Sequence, residues 1–288
     1  MALATGVLLL SSCSEDAVDE QQSKIQIFGN ITELTRVANK TAWQSGDQIG
    51  TYLYTDVNNC AETNIPYQTA GDGQFSPVRK ALYVSIKNGA MEVAGYYPYS
   101  QDIISTEYRV DNWADNDDPR LDLLWGHVTC APLMPAVMIN FHHQFTKITF
   151  EALPSDLYNN VQADELKDMT VRAERMNYPV SVNLLSGELS YTDALNNDPI
   201  NVVMHGNKGE LIFAPEQAGH DHTGRTIVFT TRDEYTYRWE LDDDMVYEAG
   251  KAYKYKLKFS KDQVEAELEG TIVDWSTVEM GEKELITQ

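Results

Sequence analysis

The three cysteines carry the most definite chemistry in the chain. Cys13 follows the apolar run Val7 to Leu10 and the small pair Ser11-Ser12. That is the pattern read by a lipoprotein signal peptidase: an apolar core, small residues, then the thiol that receives the lipid. Residues 1–12 are therefore expected to be a signal peptide, with the mature chain starting outside the cytoplasm at a lipidated Cys13. No Lys or Arg precedes the apolar stretch, whereas an export signal opens on a positive region, which points to a start upstream of Met1. Ala2 to Leu10 falls far short of the ~20 apolar residues of a spanning helix, so acyl chains would be the anchor. Cys60 and Cys130 then remain as a pair in a compartment that permits disulfides. A bridge between them would stabilise the fold by roughly 4 kcal/mol in the chain-entropy account, provided their Cα atoms come within reach. Two separate buried thiols are the alternative.

Other reactive constellations are thin. His142 and His143 are adjacent and point to opposite faces of a strand, while His220-Asp221-His222 sets two imidazoles on one side and could hold zinc or copper with a third ligand. A polar loop after Pro215 is the reading preferred for that segment. Asp115-Asn116-Asp117-Asp118 and Asp242-Asp243-Asp244 lack the glycine turn and terminal glutamate of a calcium loop and read as solvated turns. No Gly-x-Ser-x-Gly elbow, His-Glu-x-x-His helix or phosphate loop is present. The expectation is a protein without catalytic residues, metal or cofactor. With 44 Asp and Glu against 22 Lys and Arg, a net charge of −22 leaves no basic stripe for tracking phosphates, which argues against nucleic acid as a partner.

These residues must be held by β-structure. Sixteen Tyr and five Trp suit half-buried pleated surfaces. In Ala252 to Phe259, Tyr253, Tyr255, Leu257 and Phe259 alternate with Lys254, Lys256 and Lys258, the period of two that marks a strand with one apolar face. Val137, Ile139 and Phe141 alternate likewise, as do Thr146, Ile148 and Phe150 beyond a kink at His142-His143-Gln144. Further strands are expected at Lys24 to Asn30, Ile49 to Thr55, Ala81 to Ile86, Met91 to Tyr97, Met169 to Ala173, Val180 to Leu184, Glu188 to Tyr191, Ile200 to Met204, Glu210 to Phe213, Thr226 to Thr231, Tyr235 to Leu241 and Glu265 to Val273. Ala163 to Lys167 is the one candidate helical turn. Many short strands separated by turn residues predict an all-β protein of β-sandwiches. The polar, acidic residues 13–23 read as a disordered tether. Pro119 to Pro135 reads as a connector and Val137 as the opening of a second module, giving domains at 24–135 and 136–288.

Thr35-Arg36, Trp43-x-x-Gly46-Asp47-x-Ile49-Gly50, Ala94-Gly95-Tyr96-Tyr97-Pro98-Tyr99, Asp122-Leu123-Leu124, Phe141-x-His143 with Lys147-Ile148, Gly250-Lys251-x-Tyr253-x-Tyr255 and Ile272-x-x-Trp275 follow one another in an order that resembles the fimbrillin family, the subunits of type V fimbriae. The resemblance implies two tandem Greek-key, transthyretin-like sandwiches in a surface-exposed outer-membrane lipoprotein precursor, for which Ser14-Glu15-Asp16 resembles an export tag. It also implies cleavage by an Arg-specific protease, with Arg36 as the candidate site. The cut would free a removable first strand, Lys24 to Ile31, with Ile25, Ile27 and Gly29 or Ile31 facing inward, for replacement by a strand of a neighbouring subunit. Implied partners are other fimbrial subunits, in a homo- or hetero-polymer, the outer membrane through the lipid, and a host protein or glycan. Only Ser276 to Gln288 follow Trp275, with few apolar anchors, which suits a tip or accessory adhesin as well as a stalk subunit. A glycan-binding surface lipoprotein using Tyr96, Tyr97, Tyr99, Trp113 or Trp125 is the alternative.

Overall fold

Inward-facing apolar residues at every second position dictate most of the strands, and the partners of those strands decide where each module ends. The protein is described by a computed structural model for residues 22–31, 42–155, 161–167, 169–192, 194–216, 220–261, 264–268, 273–274 and 284–285. Cys13, Arg36 and Trp275 lie outside the described residues. The first ten strands are β1 (Gln22–Lys24), β2 (Gln26–Ile31), β3 (Gln48–Asp56), β4 (Asn59–Thr69), β5 (Gln74–Pro77), β6 (Tyr83–Ser85), β7 (Met91–Tyr97), β8 (Glu107–Val110), β9 (Leu124–Cys130) and β10 (Ala136–His143). Seven of them close into a barrel in the order β10-β2-β5-β4-β3-β7-β9, while β1 pairs with β6 outside it. Val137, Ile139 and Phe141 of β10 point into the barrel and are buried, while Ala136, Met138 and Asn140 face out.

Two expectations are overturned here. The first module links seven strands into a closed barrel where a β-sandwich was expected. The boundary at Pro135 also falls one strand early, because β10 runs parallel to β2 from Ala136↔Gln26 to Phe141↔Ile31 and antiparallel to β9. β10 thus completes the barrel instead of opening the next module. β8 crosses the boundary the other way and pairs with a strand of the second module. Strands β4, β5, β8 and β9 were not among those expected, β4 and β9 for local reasons. β4 is polar along most of its length and contains Pro66. β9 carries Gly126, where a Cβ would lie 2.2 Å from the Asn140 carbonyl oxygen; only glycine lets β9 lie this close to β10.

The second module comprises β11 (Thr146–Pro154), β12 (Thr170–Glu174), β13 (Val180–Asn183), β14 (Leu189–Tyr191), β15 (Ile200–Asn201), β16 (Val203–His205), β17 (Lys208–Phe213), β18 (Thr226–Thr230), β19 (Thr236–Glu240), β20 (Lys251–Phe259), β21 (Val264–Leu268), β22 (Val273–Asp274) and β23 (Glu284–Leu285). One sheet runs β16-β17-β11-β20-β21-β23, with β22 also on β20; a second runs β15-β12-β18-β19; and β8 joins β13 and β14 in a third. The first two face each other through edge-on rings, with Phe150 to Phe229 at 5.3 Å, Phe229 to Phe259 at 5.2 Å and Trp239 to Tyr255 at 4.7 Å. Such pairs contribute about 0.5–1.5 kcal/mol each beyond area burial. On β20, Tyr253, Tyr255, Leu257 and Phe259 are buried as the alternation demands, and the intervening lysines are half-buried. Ala163 to Lys167 forms a turn.

The modules share a core along one side of the barrel. Tyr52 and Tyr54 of β3 and Tyr96 of β7 point outward from the barrel into the hydrophobic cluster of the second module. The Tyr54 hydroxyl donates to the Leu185 carbonyl at 2.6 Å and Trp125 Nε1 of β9 to the Leu184 carbonyl at 2.8 Å. At the crossing from β10 to β11, the buried His143 places Nδ1 2.9 Å from Asp122 Oδ1. Beside it, the buried Lys147 is ion-paired with Glu210. Burial holds the His143 imidazole below the ordinary histidine range, opposed by its hydrogen bond to Asp122.

The Cys60–Cys130 bridge is absent, and both thiols are free. Cys60 lies on β4 and Cys130 on β9, with β3 and β7 between them. Three strand spacings of about 4.8 Å separate them by roughly twice the ~7 Å Cα limit of a disulfide. Burial pushes both thiols up in pKa.

Two outcomes follow. Under non-reducing denaturation both Cys60 and Cys130 should alkylate without prior reduction, with Cys60 reacting faster in the native protein; a mass two hydrogens light would contradict this. Because the folded state holds His143 neutral, the unfolded chain binds a proton at higher pH, so stability falls as pH drops below ~6.5. Urea midpoints between pH 7 and 5 should fall less steeply for His143→Gln than for the unmodified chain.

Candidate functional site

The predicted removable strand is two elements broken at Ile25. Lys24 belongs to β1, is exposed and sits opposite Tyr83 of β6. Ile25 turns inward at 1% exposure, and its amide donates to the Leu82 carbonyl at 2.9 Å. β2 then enters the barrel wall between parallel β10 and antiparallel β5, with Ile27↔Phe75 and Phe28↔Gln74 in register. Ile27 is fully buried and Ile31 nearly so, whereas Gln26 and Asn30 are exposed. Burying each isoleucine contributes about 1.5–3 kcal/mol. Two further bonds tie the strand's ends, Gln26 N to the Pro135 carbonyl at 2.9 Å and Gly29 N to the Gly73 carbonyl at 2.8 Å.

Behind β2 stands a group of rings. Trp43 Nε1 donates to the Gly29 carbonyl at 2.7 Å, and its indole meets Phe75 at 4.9 Å and Phe141 at 5.2 Å, both edge-on. Trp43, Phe75 and Phe141 lie on three different segments, so nothing local in the sequence pairs them. Sequence reasoning found the inward positions of β2 and placed Trp43 in a motif of the family, but missed that the two meet. In the circular strand order, β2 is three steps from both β3 and β7, the strands whose tyrosines enter the second module. The strand therefore lies across the barrel from the face that joins the two modules.

The remaining candidates are placed elsewhere. His220 packs on Tyr191 at 4.1 Å and His222 on Tyr178 at 5.6 Å. Asp221 accepts from the Thr223 amide and hydroxyl and from Arg175. Among the described residues no group of three His, Cys, Asp or Glu side chains could hold a metal ion. Asp118 caps a 3-10 turn at Pro119–Leu121, and Asp242 Oδ1 accepts from the Asp244 amide. Tyr96 and Trp113 are fully buried and offer no sugar platform, while Tyr97, Tyr99 and Trp125 are half-buried. No helix among the described residues is long and apolar enough to cross a membrane.

Comparison with known proteins agrees with this architecture. A protein of Bacteroides uniformis described as a candidate cell adhesion protein superposes with a TM-score of 0.75 at 22% identity, covering 88% of this chain and 99% of that one. A second such protein, from Bacteroides ovatus, gives 0.67 at 19% identity, covering 89% and 99%. A fimbrial assembly protein of Parabacteroides distasonis gives 0.51 at 8% identity, covering 88% and 99%. At these identities the likeness is one of fold. No curated protein matches the chain. Residues 35–275, most of the sequence, match the fimbrillin-like family, and the chain belongs to that family.

Proposed function

We propose that this chain is a structural subunit or tip/accessory adhesin of a fimbria, exported as a lipoprotein through Cys13 and assembled by strand exchange after cleavage at Arg36. The family is one of fimbrial and adhesion proteins of the cell surface; the lipid anchor, the cut and the exchange are the finer parts of the reading. The observation that supports the exchange is the placement of β2, which is buried in the barrel wall and three strands away from β3 and β7, whose tyrosines enter the second module. Hydrolysis of the bond after Arg36 would leave β1 and β2 held only by non-covalent contacts. Their release bares the facing edges of β5 and β10 and the ring wall between them. An incoming strand can restore both hydrogen-bonded ladders and refill the inward pockets, which is strand addition in its strongest form.

The leaving piece also takes β1 from β6, so the barrel end near Lys24 is freed in the same event. Glu284–Leu285 already pair with β21 of the same chain, which favours a role as acceptor over donation of the tail. The partners are other fimbrial subunits, the outer membrane through the lipid of the precursor, and a host protein or glycan at the assembled surface.

Incubating the purified precursor with an Arg-specific protease should yield a first stable product beginning at Val37, followed by SDS-resistant, heat-labile ladders. A different first product, or persistent monomers after that cut, would overturn the reading. Loss of the Gly29 carbonyl should also expose Trp43. The tryptophan emission that shifts red on strand release is expected to be missing from the Trp43→Phe protein.

A further inference from the structure

We propose that the groove vacated by β2 selects its incoming strand through a notch that accepts only glycine, so that the partner must carry an apolar-x-apolar-x-Gly-x-apolar segment in one fixed register. The inference rests on the strand-exchange reading and adds to it the chemistry of the partner strand. It starts from the alternation of β2, in which Ile25, Ile27, Gly29 and Ile31 face the core. Three of these positions are filled by isoleucine. At the fourth, a Cβ on Gly29 would lie 2.8 Å from Phe75 Cε2 and 3.0 Å from Phe141 Cε2.

The rings are held by their neighbours. On its far side Phe141 is met by Gly95 of β7, where a Cβ would lie 3.0 Å from Phe141 Cζ, so this ring spans the barrel between two glycines. Trp43 is packed edge-on against both Phe75 and Phe141, and its bond to the carbonyl of residue 29 fixes how deeply the strand sits. All three rings belong to segments that remain after a cut at Arg36, so the notch outlasts the strand that now fills it. Interiors are packed so closely that one added methylene is felt. A side chain at this position would have to displace aromatic rings, whereas truncation at the isoleucine positions would leave voids.

The notch also locks register. A slip of one residue turns the apolar face to solvent, and a slip of two drives an isoleucine against Phe75 and Phe141. The occupant is an extended segment of another polypeptide with branched aliphatic residues at the positions of Ile25, Ile27 and Ile31 and glycine at that of Gly29. Main-chain ladders alone would accept many strands, so the notch is the element that discriminates among them.

The test uses the full chain cut with the Arg-specific protease and a labelled synthetic peptide of residues 22–31, with capture followed by native mass spectrometry and Trp43 emission. The unaltered peptide should be captured, and the Gly29→Ala peptide should bind about tenfold or more weakly, the fold-change expected when a packed core is overfilled by one carbon. The Gly29→Val peptide should not be captured, and Asn30→Ala, at an outward position, should bind like the unaltered peptide. Equal capture of the unaltered and Gly29→Ala peptides would overturn the notch and leave strand exchange standing. Failure of the unaltered peptide to enter would overturn strand exchange itself.

Discussion

A closed ring of strands has no edge, and that constraint governs the rest of this structure. Every barrel strand has a paired neighbour on each side, so little of the row of donors and acceptors that an open sheet presents to other chains is left bare. Taking one strand out creates two such rows at once and turns a core into a groove. The neighbours of β2, β10 and β5, carry inward residues of their own, and the interface with the second module runs along β3 and β7, three strands away, with Trp125 of β9 at its margin.

The division of labour between the two sides of the groove follows from side-chain chemistry. β2 supplies branched aliphatics, whereas the wall behind it is built of Trp43, Phe75 and Phe141. Rings packed edge-on against one another hold a fixed surface against which β2 lies. A hydrogen bond from Trp43 to a main-chain carbonyl asks for no particular side chain. Shape at Gly29 is then left as the discriminating feature. The second module contributes rigidity. Its sheets are locked by crossed rings, and the outward tyrosines of β3 and β7 anchor it to one side of the barrel.

Much of the fold was legible in the pattern of residues. The alternations at Val137 to Phe141 and Tyr253 to Phe259, and the inward set Ile25, Ile27 and Ile31, all name the buried faces found in the structure. Period-two burial is a local property, and a strand with one wet face must display it. β4 and β9 were not legible. A strand whose outer face is neither fully wet nor fully dry, or which is glycine-dependent where it approaches its neighbour, loses the alternation. Cys60 and Cys130 show the same limit, since an even count of cysteines says nothing about how many strands lie between them.

By itself the sequence determined the all-β character, the faces of the strongest strands and the ordered motifs that mark a fimbrillin-like chain, because these depend on residues near one another. Tertiary structure alone decided that β10 belongs with β2, that β8 serves the second module, and that Trp43, Phe75 and Phe141 converge on Gly29. Strand pairing is set by which distant edges satisfy each other's hydrogen bonds, and the space at a glycine is set by side chains from other strands. Neither quantity is written in any local run of residues.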